Sequence, residues 1–368
     1  MNSFTLSLIS SFVIAVIAIP TIIRISYLKH LYDVPDDRKA HGRIIPTLGG
    51  LAIFAGFAIS LNIFAPSEVN FATYQFLIAA LLIIFFIGIQ DDILIISPLK
   101  KLMGQIIAAS LVVLMGGVKL TSMYGLFGIG ELDESYSIIL TIFTLLVIMN
   151  GFNLIDGINW LSGGVGIVVS LAFGVFFLVN DRPEYAVICS SLIGGLLGFM
   201  WFNKTPAKIF MGDTGSLILG LINGVLGIYF IEENATASAL SFNSVPIVAF
   251  GVMIVPLFDT LRVFIWRMLR GKSPLNPDRN HIHHRLLELG FSHMKSSGII
   301  ILTNILFITF IYFAHDQMNS LVLLLILLVA ATVLSYIPSI IIKKRKQEQR
   351  NSKLQNKQTK NSPLSKVG

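Results

Sequence analysis

The sequence predicts an all-α, polytopic integral membrane protein with about eleven transmembrane helices, its N-terminus outside and its C-terminus in the cytoplasm. Three observations carry this. Of the 368 residues, 54% are hydrophobic and only 13% charged, where soluble domains are usually about 25% charged. Mean hydropathy is +0.79. The apolar residues fall in runs of bilayer length, and lysines and arginines crowd the alternate loops between them.

In chain order the expected spans are 4–27, 48–65, 73–90, 102–120, 137–153, 161–179, 185–202, 215–231, 245–266, 297–314 and 319–342. No basic region precedes the first, and Arg24 and Lys29 follow it, so it reads as an uncleaved span rather than a leader. Pro20 and Pro256 are expected to kink their helices. One set of loops holds Arg38, Lys39, Arg43, Lys100, Lys101, Lys204, Lys208 and the run from Arg267 to Lys295. The opposite loops hold Lys119 and Arg182 against Glu68, Glu131, Asp133, Glu134, Asp181, Glu184, Glu232 and Glu233. The positive-inside rule makes the first set cytoplasmic. Residues 1–342 form one membrane domain, and 343–368 form a basic tail, expected to be disordered on the cytoplasmic side. The one cysteine, Cys189, rules out an intramolecular disulfide. No polar region is long enough for a separate soluble domain, so any chemistry belongs at the membrane surface. No nucleic-acid partner is expected.

The unusual polar residues gather in the loops assigned to the cytoplasm. The first loop runs from Asp33 through Arg38, Lys39 and His41 to Gly49-Gly50. It reads either as a topology signal or as a phosphate-facing surface. Asp91 and Asp92 stand side by side at a span end, where two carboxylates repel and lose hydration. They suit cation binding or proton acceptance, and Lys101 beyond them suits a phosphate. The run Asn150 to Trp160 packs Asn150, Asn153, Asp156, Gly157 and Asn159 between two hydrocarbon-length helices. Asparagine and aspartate supply hard oxygen ligands and base-pairing edges, although a capped inter-helix turn explains the same residues. Asp213, in Gly212-Asp213-Thr214-Gly215-Ser216, opens a helix. There it can cap the helix, attract Mg²⁺, or mark a phosphate site at the helix N-terminus. Asp259 and Arg262 close the ninth span, and His281-Ile282-His283-His284-Arg285 follows. No cysteine or nearby glutamate completes a usual zinc set, so these histidines point to phosphate and sugar contacts.

These motifs, in this order, resemble the polyprenyl-phosphate N-acetylhexosamine-1-phosphate transferases, the membrane superfamily of MraY, WecA and TagO. The resemblance covers roughly residues 1–340 and rests on Asp37-Arg38-Lys39-x-His41, Asp91-Asp92, the asparagine run, Gly212 to Ser216, and the HIHHR segment, whose form is that of the WecA/TagO branch. It implies transfer of N-acetylglucosamine 1-phosphate from UDP-N-acetylglucosamine to undecaprenyl phosphate, with release of UMP, as the first step of a lipid-linked envelope glycan. It implies Mg²⁺ with Asn153 and Asp213 as ligands, and a catalytic set of Asp91, Asp92, Lys101 and Asp156. Asn159 and Phe210 are implied at uracil, although many members carry Asp at the Asn159 position. His281, His283, His284 and Arg285 are implied at the diphosphate or sugar, with Arg38 and Lys39 also binding substrate. The implied location is the cell's inner membrane, multi-pass, with the site on the cytoplasmic face. Some relatives of this kind dimerise.

A lipid phosphate is largely ionised at pH 7, its second pKa being roughly 6. Asp91 and Asp92 are therefore expected to position groups more than to abstract a proton. An apolar lipid groove is expected beside the second and fourth cytoplasmic loops. Two alternatives stay open: the same chemistry on another UDP-N-acetylhexosamine or on UDP-MurNAc-pentapeptide, and a transporter. A transporter would place its polar groups at mid-membrane rather than at one face.

Overall fold

A computed structural model describes residues 3–32, 45–66, 71–94, 96–271 and 281–360. Among them there is no strand, only an isolated bridge between Ser122 and Glu131. Thirteen α-helices succeed one another: α1 Ser3–Leu28, α2 Gly49–Phe64, α3 Phe71–Leu94, α4 Pro98–Ser110, α5 Glu134–Ile155, α6 Leu161–Val179, α7 Pro183–Asn203, α8 Gly212–Glu233, α9 Val245–Val252, α10 Ile254–Met268, α11 Ile282–Glu288, α12 His293–Ala314 and α13 Ser320–Lys360. Nine helices among the described residues are long and apolar enough to cross a bilayer, or ten with the bent pair α9–α10 taken as one span.

The eleven-span expectation also counted α2, which has 16 residues. At 1.5 Å per residue it reaches only about 24 Å, short of a hydrocarbon core of roughly 30 Å. The fourth span starts at Pro98 rather than 102, because Ser97 accepts from the Lys100 amide and Pro98 occupies the first helical turn. Pro20 lies inside an unbroken α1. In the ninth span the chain turns by 85° between Val252 and Ile254. Pro256 sits in the first turn of α10, where a missing amide proton costs nothing. The segment after 342, expected to be irregular, continues α13 as far as Lys360.

Packing follows the logic of helices in lipid, where small residues let backbones approach. On α1 the buried positions are Ser7, Ser11, Ala15, Ile19 and Ser26, while Ile9, Val13 and Ile17 point outward. This small-residue stripe meets α7: a methyl group on Gly194 would come 2.2 Å from the Leu8 carbonyl oxygen. The centre of the bundle is α8, whose apolar span is 94% buried. Its first turn is gripped by two neighbours. A methyl on Gly50 of α2 would meet the Gly215 nitrogen at 2.2 Å, and one on Gly88 of α3 would meet Thr214 Cα at 2.3 Å. These contacts fix the start of α8 against the ends of α2 and α3, where the polar motifs meet.

Candidate active site

Four helix ends build the first cluster. Asp91 and Asp92 lie in the last turn of α3, α4 begins just before Lys101, Asn153 lies in the last turn of α5 with Asp156 just beyond it, and α8 begins with Gly212-Asp213. The Lys101 ammonium is held by three oxygens from three helices. It donates to a carboxylate oxygen of Asp213 and lies 3.1 Å from Asp91 Oδ2 and 3.4 Å from Asn153 Oδ1. Asn153 Nδ2 donates to Asp213 Oδ1 at 2.7 Å and to Ser216 Oγ at 2.9 Å. Asp91 Oδ1 accepts from the Ile96 amide at 2.9 Å, closing the α3–α4 turn.

Asp92 behaves differently from its neighbour. Its Oδ1 accepts from the Asp213 amide at 2.7 Å, and its Oδ2 accepts from the Thr214 amide at 3.1 Å and from Thr214 Oγ1 at 2.6 Å. The carboxylate thus caps α8 from another helix. An acid in the last turn of α3 is poorly placed for α3, but at the N-terminus of α8 it meets free amides and the positive end of the helix dipole. This answers the question left open for Asp213. The cap of α8 is Asp92, and Asp213 makes no side-chain cap of its own. Gly212, at φ +72°, makes the approach feasible, since a methyl there would lie 2.6 Å from Asp92 Oδ1.

Asp156, just past the end of α5, makes no ion pair among the described residues. Burial, followed by the Asp213 and Asp92 carboxylates, raises its pKa well above the carboxylate range. Among the described residues, the cluster sets one cation, Lys101, against the four carboxylates of Asp91, Asp92, Asp156 and Asp213. No group of three His, Cys, Asp or Glu side chains among the described residues is spaced to enclose a metal. The donor set nevertheless suits a hard divalent cation: Asn153 Oδ1, Asp213 and Asp91 converge on a single cationic centre. Mg²⁺ takes one or two protein carboxylates and completes its shell with phosphate and water.

The second cluster is built on α10 and α11. Asp259, buried in α10, accepts from Arg262 Nη2 at 2.7 Å and pairs with His281 Nδ1 at 2.9 Å. It also accepts from the Ile282 amide at 3.3 Å, so it fixes the start of α11. The His281 and His283 rings lie parallel at 5.7 Å, and His283 and His284 lie 4.2 Å apart. Among the described residues His283 Nε2 is buried without a hydrogen-bond partner, and it faces Gly157, where a methyl group would lie 2.3 Å away. Burial, then the His284 charge, lowers the His283 pKa to about 3. Arg285 turns toward Glu288, at 3.2 Å.

The run from Asn150 to Trp160 joins the two clusters. Asn150 pairs with Gln105 of α4 at 2.8 Å. Trp160, at φ +70°, donates its amide to Asn203 Oδ1 at 2.7 Å and its indole nitrogen to the Met200 carbonyl at 2.9 Å. Asn203 in turn donates to the Ile209 carbonyl at 2.8 Å, which holds the segment before Phe210. Asn159 Nδ2 donates to Thr205 Oγ1 at 2.9 Å, and among the described residues its buried Oδ1 has no partner. Phe210 is half-buried. Its amide donates to the Pro46 carbonyl and its carbonyl accepts from Gly49, tying the end of the first loop to this region.

Asp91, Asp92, Lys101, Asn153, Asp156 and Asp213 therefore meet in one cluster, His281, His283 and His284 form another, and Asn159 and Phe210 lie along the segments between helices. Arg38 and Lys39 lie outside the described residues. Asp259 was visible in the sequence only as half of a local pair with Arg262; its bond to His281 depends on the fold. Gln105, a lone amide in an apolar helix, gave no signal beyond its isolation.

Residues 74–231 match the profile of glycosyl transferase family 4. Over 289 residues, 73% of this chain and 71% of the relative, the chain is 35% identical to a decaprenyl-phosphate N-acetylglucosaminephosphotransferase of Mycolicibacterium smegmatis. It is 31% identical over 316 residues, 83% of this chain and 84% of the relative, to a Bacillus subtilis protein named "Probable undecaprenyl-phosphate N-acetylglucosaminyl 1-phosphate transferase". To an undecaprenyl-phosphate alpha-N-acetylglucosaminyl 1-phosphate transferase of Escherichia coli O157:H7 it is 30% identical over 311 residues, 82% of each chain.

Proposed function

Because the chain belongs to glycosyl transferase family 4, we propose that it transfers N-acetylglucosamine 1-phosphate from UDP-N-acetylglucosamine to a polyprenyl phosphate, undecaprenyl phosphate in the first instance, and releases UMP. An oxygen of the lipid phosphate attacks the β-phosphorus of the donor. The bond from that phosphorus to the oxygen bridging it to the α-phosphorus breaks. The bridging oxygen leaves with UMP, and the product is a polyprenyl diphosphate sugar.

The observation that carries this reading is the convergence of Asp91, Asn153 and Asp213 oxygens on the Lys101 ammonium at the meeting point of four helix ends. Bringing a phosphate monoester onto a diphosphate gathers several negative charges, so the site must supply cations and hold them in place. In this reading Mg²⁺ would be held by Asp213 and Asn153 with Asp91 at its edge, and when bound it neutralises charge on the transferred phosphoryl group. Lys101 holds a phosphate oxygen. Asp92 fixes the α8 terminus that carries Asp213. Asn159 Oδ1, buried and unpaired, accepts from the N3–H of uracil, and Phe210 stacks on the ring. His284 and Arg285, beside the buried His281–His283 stack, face the sugar diphosphate. The acceptor enters sideways from the bilayer. The polar clusters lie at the membrane face assigned to the cytoplasm by its lysines and arginines, on a multi-pass protein of the inner membrane.

The test is UMP release by the purified protein from UDP-N-acetylglucosamine and undecaprenyl phosphate, with and without Mg²⁺, beside Asp213→Ala. The reading expects UMP only when lipid and Mg²⁺ are both present, and none from the variant. Folded protein that releases no UMP with this donor, or releases it without the lipid, contradicts it.

A further inference from the structure

A groove of about 810 Å³ runs between α10 and α13, and of the residues given a role in the reaction above only Arg285 lines it. None of Asp91, Lys101, Asn153 or Asp213 lines it. Its walls are apolar, with Leu261, Ile265, Leu328, Tyr336 and Ile340 among them. Leu261, Ile265, Tyr336 and Ile340 are also exposed on the outer surface of the bundle, so the groove is reachable from the side, within the bilayer. Among the described residues its basic lining is Arg262, Arg270, Arg285, Lys343 and Lys346, and no carboxylate lines it. Asp259 behind the wall takes part of the Arg262 charge, and Glu288 takes part of those on Arg285 and Lys346. Arg270 lies 4.2 Å over the Trp266 ring instead of against an acid, and Lys343 makes no ion pair among the described residues.

We propose that this groove is a binding site for an anionic phospholipid of the bilayer, its acyl chains against the α10 and α13 walls and its phosphate among Arg270, Lys343 and Lys346. Three features select this occupant. A soluble anion would not use apolar walls open to the membrane interior. A zwitterionic lipid would leave the excess of positive charge unbalanced. The polyprenyl acceptor, seated here, would hold its phosphate against a wall that none of Asp91, Lys101, Asn153 and Asp213 lines. The lipid would also brace α11, because Arg285 stands on that helix and Arg345 and Lys346 of α13 already bond the Leu289 carbonyl and Glu288.

Trp266 lines the groove and reports on it directly. The full-length protein is reconstituted in phosphatidylcholine vesicles containing a small fraction of lipid with brominated acyl chains, which quench tryptophan on contact. Subtracting Trp266→Phe removes the signal of Trp160 and Trp201. The proposal expects brominated phosphatidylglycerol to quench Trp266 at several-fold lower mole fraction than brominated phosphatidylcholine. A cation near an anionic lipid is worth about fivefold in affinity. Losing two such cations is worth roughly 25-fold, so R270Q/K343Q should abolish that preference, while the charge-keeping R270K/K343R retains it and shows that the fold tolerates both changes. Equal quenching by the two lipids overturns the proposal, as does a preference that survives in R270Q/K343Q. Relief of the quenching by unbrominated undecaprenyl phosphate at lower mole fraction than by unbrominated phosphatidylglycerol assigns the groove to the acceptor and overturns it too.

Discussion

Asp92→Asn separates a capping carboxylate from a metal-binding one. The wild-type carboxylate accepts two backbone amides and one hydroxyl at the start of α8. Asparagine keeps one acceptor oxygen, but its amide nitrogen would turn a donor toward the Thr214 amide and hydroxyl. Hydrogen bonds to a charged group contribute about 1.5–3 kcal/mol each, and a negative charge at a helix N-terminus about 0.3–1 kcal/mol. Removing one carboxylate from a cluster that also holds Asp91, Asp156 and Asp213 works in the opposite direction. That relief is the smaller effect, because Asp92 bonds none of the other carboxylates and Lys101 sits among them. The net loss is roughly 2–3 kcal/mol of stability, and it falls on the turn that carries Asp213. The assays are thermal unfolding of the purified protein and UMP release over a Mg²⁺ titration. A capping role lowers Tm by roughly 3 °C and reduces kcat, leaving the half-saturating Mg²⁺ concentration within about twofold. An unchanged or raised Tm, together with a half-saturating Mg²⁺ concentration raised tenfold, would refute the capping argument and make Asp92 a metal ligand.

Gly157→Ala puts a methyl group 2.3 Å from His283 Nε2, so we expect UMP release to fall by roughly a hundredfold, while Gly130→Ala, with nothing within 4 Å, leaves it unchanged. Asp259→Asn breaks a buried network with Arg262 and His281 and should cost about 3–5 kcal/mol, read as a lowered Tm and faster proteolysis at α11. With its pKa lowered to about 3, His283 stays neutral across the physiological range. A depressed histidine pKa gives stability that is full above the unfolded value near 6.5 and is lost as pH falls toward 3, on the order of 5 kcal/mol in all. In carbon-labelled histidine NMR spectra, one ring signal should not titrate between pH 8 and 5 and should be missing from His283→Gln; a titrating His283 contradicts its burial as a neutral ring.

Much of this architecture was legible because a bilayer imposes its own length on apolar runs. The spans α5 to α8 and α12 emerge within a few residues of where hydropathy puts them. Hydropathy failed where other physics decides. The segment 343–360 is polar, and so read as a tail, yet its lysines, glutamines and arginines are good helix formers, and α13 runs on through them. Pro256 announced a disturbance, but the 85° turn three residues earlier depends on how α9 and α10 pack. In the site, charges surrounded by apolar residues were conspicuous, which is why Asp91, Lys101, Asn153 and Asp213 could be picked out before any coordinates. What each one does was less visible. Asp92 caps a helix 121 residues downstream, and no local pattern encodes that. Asp259 offered a complete local explanation in Arg262, which hid its role in seating His281.

The central claim is that the sugar moves together with a phosphate. The most direct measurement follows the β-phosphorus of UDP-N-acetylglucosamine, radiolabelled at that atom, incubated with the protein, undecaprenyl phosphate and Mg²⁺. The account predicts that the label passes into the organic phase as polyprenyl diphosphate sugar, in equal amount to the UMP released, and that Asp213→Ala abolishes both. Label left in the aqueous phase as UDP, with only the sugar on the lipid, would contradict it and make the protein a glycosyl rather than a phosphoglycosyl transferase.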